Sequence, residues 1–162
     1  MAVINISPGH IAIGRDRDEL RTLLGSCVAI TLWQPQRCIG AMCHIVLPAR
    51  NLPPGRRGLD ARFADEAWVK MSVALAAQGV AAVDCECKVF GGARVFSHEF
   101  ANMGARNIAS VRELLHNVGV QIANEHVGGN GYRELRFNIG TGDAWMRHRN
   151  AHFPKPFREA AT

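Results

Sequence analysis

Residues 27–47 read Cys27-Val28-Ala29-Ile30-Thr31-Leu32-Trp33-Gln34-Pro35-Gln36-Arg37-Cys38-Ile39-Gly40-Ala41-Met42-Cys43-His44-Ile45-Val46-Leu47, and the fold turns on how this stretch folds back on itself. Two apolar runs, 27–33 and 38–47, flank Gln34-Pro35-Gln36-Arg37. Proline suits the first central position of a tight turn, so the reading is a β-hairpin. A turn centred between Pro35 and Gln36 pairs Cys27 directly with His44, with Cβ atoms about 4.5–5.5 Å apart. Alternation then puts Val28, Ile30 and Leu32 on the opposite face with Ile39, Ala41, Cys43, Ile45 and Leu47. That face is a credible core, and Cys43 points away from Cys27 as a small hydrophobe. A one-residue bulge would put His44 on the wrong face.

Outward from the hairpin, the N-terminal third reads as strand over 3–6, 10–13 and 20–24. Residues 51–58, Asn-Leu-Pro-Pro-Gly-Arg-Arg-Gly, form a polar Pro/Gly-rich loop. The period then changes: Ala64, Trp68, Met71 and Leu75 recur at helical spacing over 61–78, and Gly79 is a natural stop. A strand over 83–90 ends in Gly91-Gly92. A second helix over 107–117 carries Ile108, Val111, Leu115 and Val118 on one face. Strands near 120–126, 132–139 and 144–148 close the pattern. The result is α+β, a compact single domain over 1–150 with two main helices, and not a regular βαβ alternation. The tail over 151–162, with Pro154 and Pro156, reads as extended and loosely held.

A chain of 162 residues is long enough to bury a sizeable core. No apolar run reaches the ~18 residues of a membrane helix, and the first residues, Met1-Ala2-Val3-Ile4-Asn5, lack the basic and apolar regions of a signal peptide. With five cysteines, an odd number, the expectation is a reducing, cytoplasmic compartment. The net charge of +5 raises the question of nucleic acid. The basic residues are scattered, apart from Arg56-Arg57 and the stretch 147–158, and no aromatic-plus-basic module or zinc-finger spacing is present. A mildly basic solvated surface is the plain reading, and a face for an acidic protein partner is the other.

The Cys27–His44 pairing carries a chemistry. Thiolate is the reactive form of cysteine, and a neighbouring imidazolium lowers the thiol pKa from about 8.5 toward neutrality. The same histidine can later protonate a leaving amine. Gly25-Ser26 permit a tight turn whose backbone N–H groups could hold an oxyanion. A third polar group usually orients such a base, and Thr22 is the nearest candidate. Spacing alone fits two readings: a nucleophile with its base, or a buried cysteine packed near a histidine.

Other chemistry-bearing residues read more plainly. Cys85 and Cys87 form a Cys-x-Cys pair, whereas structural zinc sites use Cys-x₂₋₄-Cys; on a strand the two share one face as core cysteines. Neither Gly91-Gly92 nor Gly128-Gly129-Asn130-Gly131 fits a phosphate loop. His10, His98, His116, His126, His148 and His152 have no evident partners, and Trp68 and Met71 belong to a core stripe.

Several ordered motifs resemble one family. Thr22-Leu23-Leu24-Gly25-Ser26-Cys27-Val28-Ala29-Ile30 resembles the nucleophile segment of CheD proteins, and Gly40-Ala41-Met42-Cys43-His44-Ile45-Val46-Leu47-Pro48 their histidine segment. Arg62-Phe63-Ala64-Asp65, Lys88-Val89-Phe90-Gly91-Gly92-Ala93, Gly104-Ala105-Arg106-Asn107 and Val127-Gly128-Gly129-Asn130 match later landmarks in order, so the resemblance covers roughly 8–148. It implies layered mixed β-sheets with helices outside, similar in site architecture to the cytotoxic necrotizing factor toxins. It implies deamidation of glutamines on chemoreceptor cytoplasmic helices, with Cys27 as nucleophile, His44 as base, the oxyanion at the backbone near Ser26 and Cys27, and no metal or organic cofactor. Gly91 and Gly92 would let a substrate helix approach. In some members the partner is a CheC-type phosphatase, which occupies the receptor-binding surface. Some members place the triad threonine six residues before the cysteine; here that position is Arg21, and Thr22 lies five before. This one-residue shift could turn its hydroxyl away from His44 unless a local bulge restores it or another group orients the histidine, and Thr22 stays the candidate third member. Two other classes remain beside the deamidase: a non-enzymatic adaptor, and a thiol peptidase or small-substrate amidase.

Overall fold

The computed structural model describes residues 1–55, 57–95 and 102–149. In chain order these form β1 (Val3–Asn5), β2 (Ile11–Arg15), β3 (Glu19–Leu24), β4 (Val28–Gln34), β5 (Ile39–Cys43), α1 (Ala64–Ala76), β6 (Glu86–Gly91), α2 (Met103–Asn117), β7 (Ile122–Val127), β8 (Tyr132–Asn138) and β9 (Ala144–Arg149). The strands make two mixed sheets, one of four in the order β1-β3-β8-β9 and one of five in the order β2-β5-β4-β6-β7. The α+β class and the layered mixed sheets read from the sequence are what the structure has. His98, His152 and the tail over 151–162 lie outside the described residues.

Two apolar clusters hold the layers together. One face of the five-stranded sheet, with Val28, Ile30, Leu32, Ile39, Ala41, Cys43, Cys87 and Val89, packs on Trp68, Met71 and Leu75 of α1 and Ile108, Val111 and Leu115 of α2. The other face, with Ala29, Met42 and Phe90, packs on Leu20, Leu24, Leu135 and Phe137 of the four-stranded sheet. The layer order is therefore helices, five strands, four strands. β4 is buried on both sides over Val28–Leu32, which is why apolar residues sit at consecutive positions, broken only by Thr31, rather than alternating. Met71, Leu75 and Leu115 are fully buried, and each contributes roughly 1.5–3 kcal/mol by leaving water.

The hairpin exists, with a different turn. Pro35–Arg37 form a short 3-10 turn, Cys38 takes a left-handed conformation (φ 46), and Gln34 pairs with Ile39. Four residues rather than two make the loop, so Cys38 belongs to the turn and not to the second strand. The register moves by two positions: Thr31 faces Met42, Leu32 faces Ala41, and the last bridge joins Val28 to Ile45. Cys27 and His44 are thus diagonal neighbours, correcting the direct pairing expected. A shift of two preserves the faces, so the apolar set from Val28 to Ile45 still shares one side, with Cys43 among it.

The second helix starts at Met103, four residues before the position the apolar stripe suggests. Its buried stripe runs back from Ile108 to Gly104, a residue with no hydrophobic signal. A Cβ at Gly104 would lie 2.4 Å from the Gly92 carbonyl oxygen, so close packing of helix on strand requires the bare backbone. The strand expected from residue 83 begins at Glu86, after a 3-10 turn over Ala82–Asp84.

Candidate functional site

The site lies where the chain crosses between sheets. β3 belongs to the four-stranded sheet and β4 to the five-stranded one, so Gly25-Ser26-Cys27 is the link between layers. Cys27 stands just before β4, between the ends of its two neighbours: Val28 bridges to Ile45 on one side and to Gly91 on the other. Its side chain is half-buried and faces the inter-sheet cluster.

His44 follows β5 and is 3% exposed. Its backbone is held on both sides, the N–H donating to the His10 carbonyl (3.0 Å) and the carbonyl accepting from Gly9 (2.9 Å). Two positions along β5, Met42 points into the inter-sheet cluster, and His44 shares that face. There its Nδ1 meets Thr22 Oγ1 of the opposite sheet at 2.7 Å. Thr22 lies in β3 among Leu20 and Leu24, the inward set of a strand whose alternation buries every second residue. Thr22, five residues before the cysteine, thus faces inward, and its hydroxyl reaches the imidazole.

The proton count on this pair fixes the tautomer. The Thr22 hydroxyl donates its one proton to the Ile6 carbonyl (2.7 Å), so toward His44 it accepts, and Nδ1 carries the hydrogen. That leaves the Nε2 lone pair as the free basic position of the ring.

Burial sets the charges. It drives the His44 pKa down from 6.5 to about 4, opposed only by the Ile6 carbonyl, and it raises the Cys27 thiol above its ordinary value. Desolvation disfavours the charged form of each. Burial thus favours the neutral thiol and the neutral imidazole over the thiolate–imidazolium pair. Among the described residues Cys27 Sγ makes no hydrogen bond, as diagonal placement implies.

The backbone N–H groups of Gly25, Ser26 and Cys27 donate to no acceptor among the described residues, whereas the carbonyls around them are engaged. Gly25 O accepts from Ala93 N (2.9 Å) and Cys27 O from Gly92 N (2.8 Å). Asn107 Nδ2 reaches both Ser26 O and Val46 O at 3.0 Å. Unused donors beside a thiol are what an oxyanion formed there would require.

Gly91 and Gly92 are both buried, and the space a side chain would need is occupied from within. A Cβ on Gly91 (φ +110) would lie 2.2 Å from the Cys27 carbonyl oxygen, and one on Gly92 (φ +70) 2.3 Å from Ile108 Cγ1. Their glycine identity follows from the close approach of the Cys27 segment and of α2. A groove of about 710 Å³ on the four-stranded sheet is lined by Arg21, Leu23, Tyr132 and Arg147, and it reaches Ile6 and Thr22 but not Cys27.

Of the remaining candidates, Cys85 and Cys87 are buried, with thiols pushed up to about 11 and about 12 chiefly by desolvation. Among the described residues no group of three His, Cys, Asp or Glu side chains gathers around a metal position. His126 Nδ1 accepts from Arg133 Nε (2.9 Å), and His148 Nε2 lies 2.6 Å from the Asn130 carbonyl. Two residues near the site escaped the sequence reading. Asn107 is a polar residue inside the apolar stripe of α2, a signal that could have marked it. Arg133 is a fully buried cation spread over His126, Gly91 O and Gly128 O; the alternation of β8, which puts it on the face of buried Leu135 and Phe137 and Arg136 on the other, was the signal.

Comparison with known proteins adds a family. The pattern of a family described as "CheD chemotactic sensory transduction" matches residues 46–148. A protein named "Probable chemoreceptor glutamine deamidase CheD 3" from Dechloromonas aromatica is 39% identical over 91% of this chain and 92% of its own length. One named "Probable chemoreceptor glutamine deamidase CheD" from Pseudomonas fluorescens is 36% identical over 88% and 82%. The "Chemoreceptor glutamine deamidase CheD" of Thermotoga maritima is 34% identical over 88% and 89%.

Proposed function

The chain belongs to the CheD family, and from that premise we propose that it deamidates glutamine side chains of chemoreceptors at Cys27. The observation that carries the reading is the Thr22–His44 hydrogen bond: it holds Nδ1–H against an acceptor and leaves Nε2 basic, on the face that Cys27 shares.

His44 Nε2 takes the thiol proton as sulfur attacks the carboxamide carbon, forming a C–S bond and an oxyanion. Burial favours the neutral form of both groups, which fits deprotonation that accompanies attack. Rotamer adjustment on substrate entry closes the diagonal gap, as catalytic hydrogen bonds commonly tighten in the bound complex. The free N–H groups of Gly25, Ser26 and Cys27 are the candidate oxyanion donors, the last two nearest the sulfur. Collapse breaks the C–N bond, and His44 returns its proton to the departing nitrogen, releasing ammonia. The thioester remains. Water, losing a proton to His44, attacks it; the C–S bond breaks and glutamate leaves as sulfur regains its proton. Every step is proton transfer and acyl transfer.

The substrates would be the cytoplasmic helices of chemoreceptors, which puts the protein in the cytoplasm. No helix among the described residues is long and apolar enough to cross a membrane. A CheC-type phosphatase is the further partner that family resemblance suggests, and it would act as a competitor of receptor binding.

Mass spectrometry of purified receptors incubated with wild-type and Cys27→Ala protein tests the reading. Amide-to-acid conversion with the wild type alone is expected. Receptor binding without conversion would favour an adaptor, and peptide-bond cleavage a thiol peptidase.

A further inference from the structure

We propose that Asn107 is a positioning residue for the reaction, replacing a missing rung of the β4–β5 ladder and so keeping backbone donors beside Cys27 available. The inference rests on the reading of Cys27 as nucleophile.

Asn107 is fully buried on the face of α2 shared by Gly104, Ile108, Val111 and Leu115. An amide among apolar neighbours is costly unless it is hydrogen-bonded. Both Nδ2 protons are used, on Ser26 O and Val46 O, each at 3.0 Å. The amide cannot be reversed, because Oδ1 would then face two carbonyl oxygens. Oδ1 itself is buried without a partner. What the side chain contributes is therefore what its nitrogen does, since its oxygen is left without a partner.

What the nitrogen does follows from the ladder. Val28 and Ile45 exchange both backbone bonds, Val28 N to Ile45 O (3.0 Å) and Ile45 N to Val28 O (2.8 Å). In an antiparallel pair the next such exchange would join Ser26 and Leu47, with Cys27 opposite Val46 between them. It does not form. Leu47 N and Val46 N both turn to Arg62 O (2.9 Å each), and Leu47 O accepts from Ala64 N (3.1 Å). The chain after Ile45 has left β4 for the start of α1. Ser26 thereby loses a donor to its carbonyl and an acceptor for its N–H. Asn107 supplies the donor and not the acceptor: Ser26 O is satisfied and Ser26 N–H stays unused. With its second proton it holds Val46, two residues beyond the base. One amide thus fixes the separation of the two segments that carry nucleophile and base.

The test compares Asn107→Ala and Asn107→Asp with Val111→Ala, a cavity control from the same buried face. Three quantities are read: receptor deamidation, the pH dependence of Cys27 alkylation by iodoacetamide, and Tm. Both Asn107 variants should lose about 100-fold in kcat, the penalty typical of misplaced catalytic groups, with KM little changed and the alkylation profile displaced. Val111→Ala should lower Tm while keeping kcat and the profile. Wild-type kcat and profile in Asn107→Ala would overturn the proposal. So would losses that Val111→Ala reproduces at equal Tm. Should Asn107→Asp fail to fold, Asn107→Ser supplies the second comparison. Should the wild type not deamidate receptors, the proposed function fails by itself, and the alkylation profiles still decide whether Asn107 sets the environment of Cys27.

Discussion

Thr22 Oγ1 of β3 and His44 Nδ1, just past the end of β5 in the other sheet, lie 2.7 Å apart across the inter-sheet core. The bond orients the imidazole and also joins the layers, so its loss should register in both activity and stability. Thr22→Val leaves Nδ1–H buried without this acceptor, costing about 1–3 kcal/mol, and frees the ring to turn. Deamidation should fall by roughly 10²-fold, while Thr22→Ser keeps most of it. Equal activity of the valine and serine variants in a receptor assay would remove Thr22 from the site.

The depressed pKa of His44 makes stability depend on pH in one direction. The unfolded chain protonates this histidine near 6.5 and the folded chain near about 4, so between those values the unfolded state binds more protons. The contribution is whole above about 6.5 and is lost as pH falls toward about 4, amounting to roughly 3 kcal/mol. Urea unfolding at pH 7 and pH 4.5 should show a larger loss for wild type than for His44→Gln. Parallel losses would mean that His44 does not titrate this way.

The same shift predicts the acid limb of catalysis. His44 must be neutral to accept the thiol proton, and burial keeps it neutral well below the ordinary histidine range. The kcat/KM profile of the free enzyme should stay flat from pH 7 to below pH 6. A limb at 6.5 or higher would show an imidazole that solvent reaches.

Gly91→Ala should be among the most damaging single-methyl changes. The position has φ +110, and the new Cβ would meet the Cys27 carbonyl oxygen at 2.2 Å. Backbone strain of this kind costs about 1–3 kcal/mol, and the clash displaces the nucleophile as well. Gly55→Ala, at φ +83 with open space around it, carries the strain without the clash and should leave activity intact. Comparable activity of the two proteins would argue against tight apposition of Gly91 and Cys27.

Much of this arrangement was legible before folding. Period-2 alternation assigned Cys27 and His44 to one face and Cys43 to the other. Helical spacing found α1 and most of α2, and the family motifs singled out Cys27 and His44, the nucleophile and base proposed above. The turn at Pro35 was legible only as a turn. Two-residue and four-residue loops preserve the same faces, so alternation cannot distinguish direct from diagonal pairing of Cys27 with His44. The start of α2 was lost for a related reason: Gly104 serves the helix by having no side chain, and hydrophobic periodicity cannot see a missing atom.

What the sequence alone determined about this protein is local: which residues face together, where helices recur, and which thiol and imidazole share a side. What the tertiary structure decided lies between elements. Thr22 reaches His44 only because two sheets stack with their inward rows opposed, and Asn107 reaches Ser26 and Val46 only because α2 crosses the point where the β4–β5 ladder opens. Burial between those layers, rather than any neighbour in the chain, keeps the base uncharged. Alternation and helical period are properties of one segment, whereas hydrogen bonds and desolvation between layers depend on how segments distant in sequence come to pack.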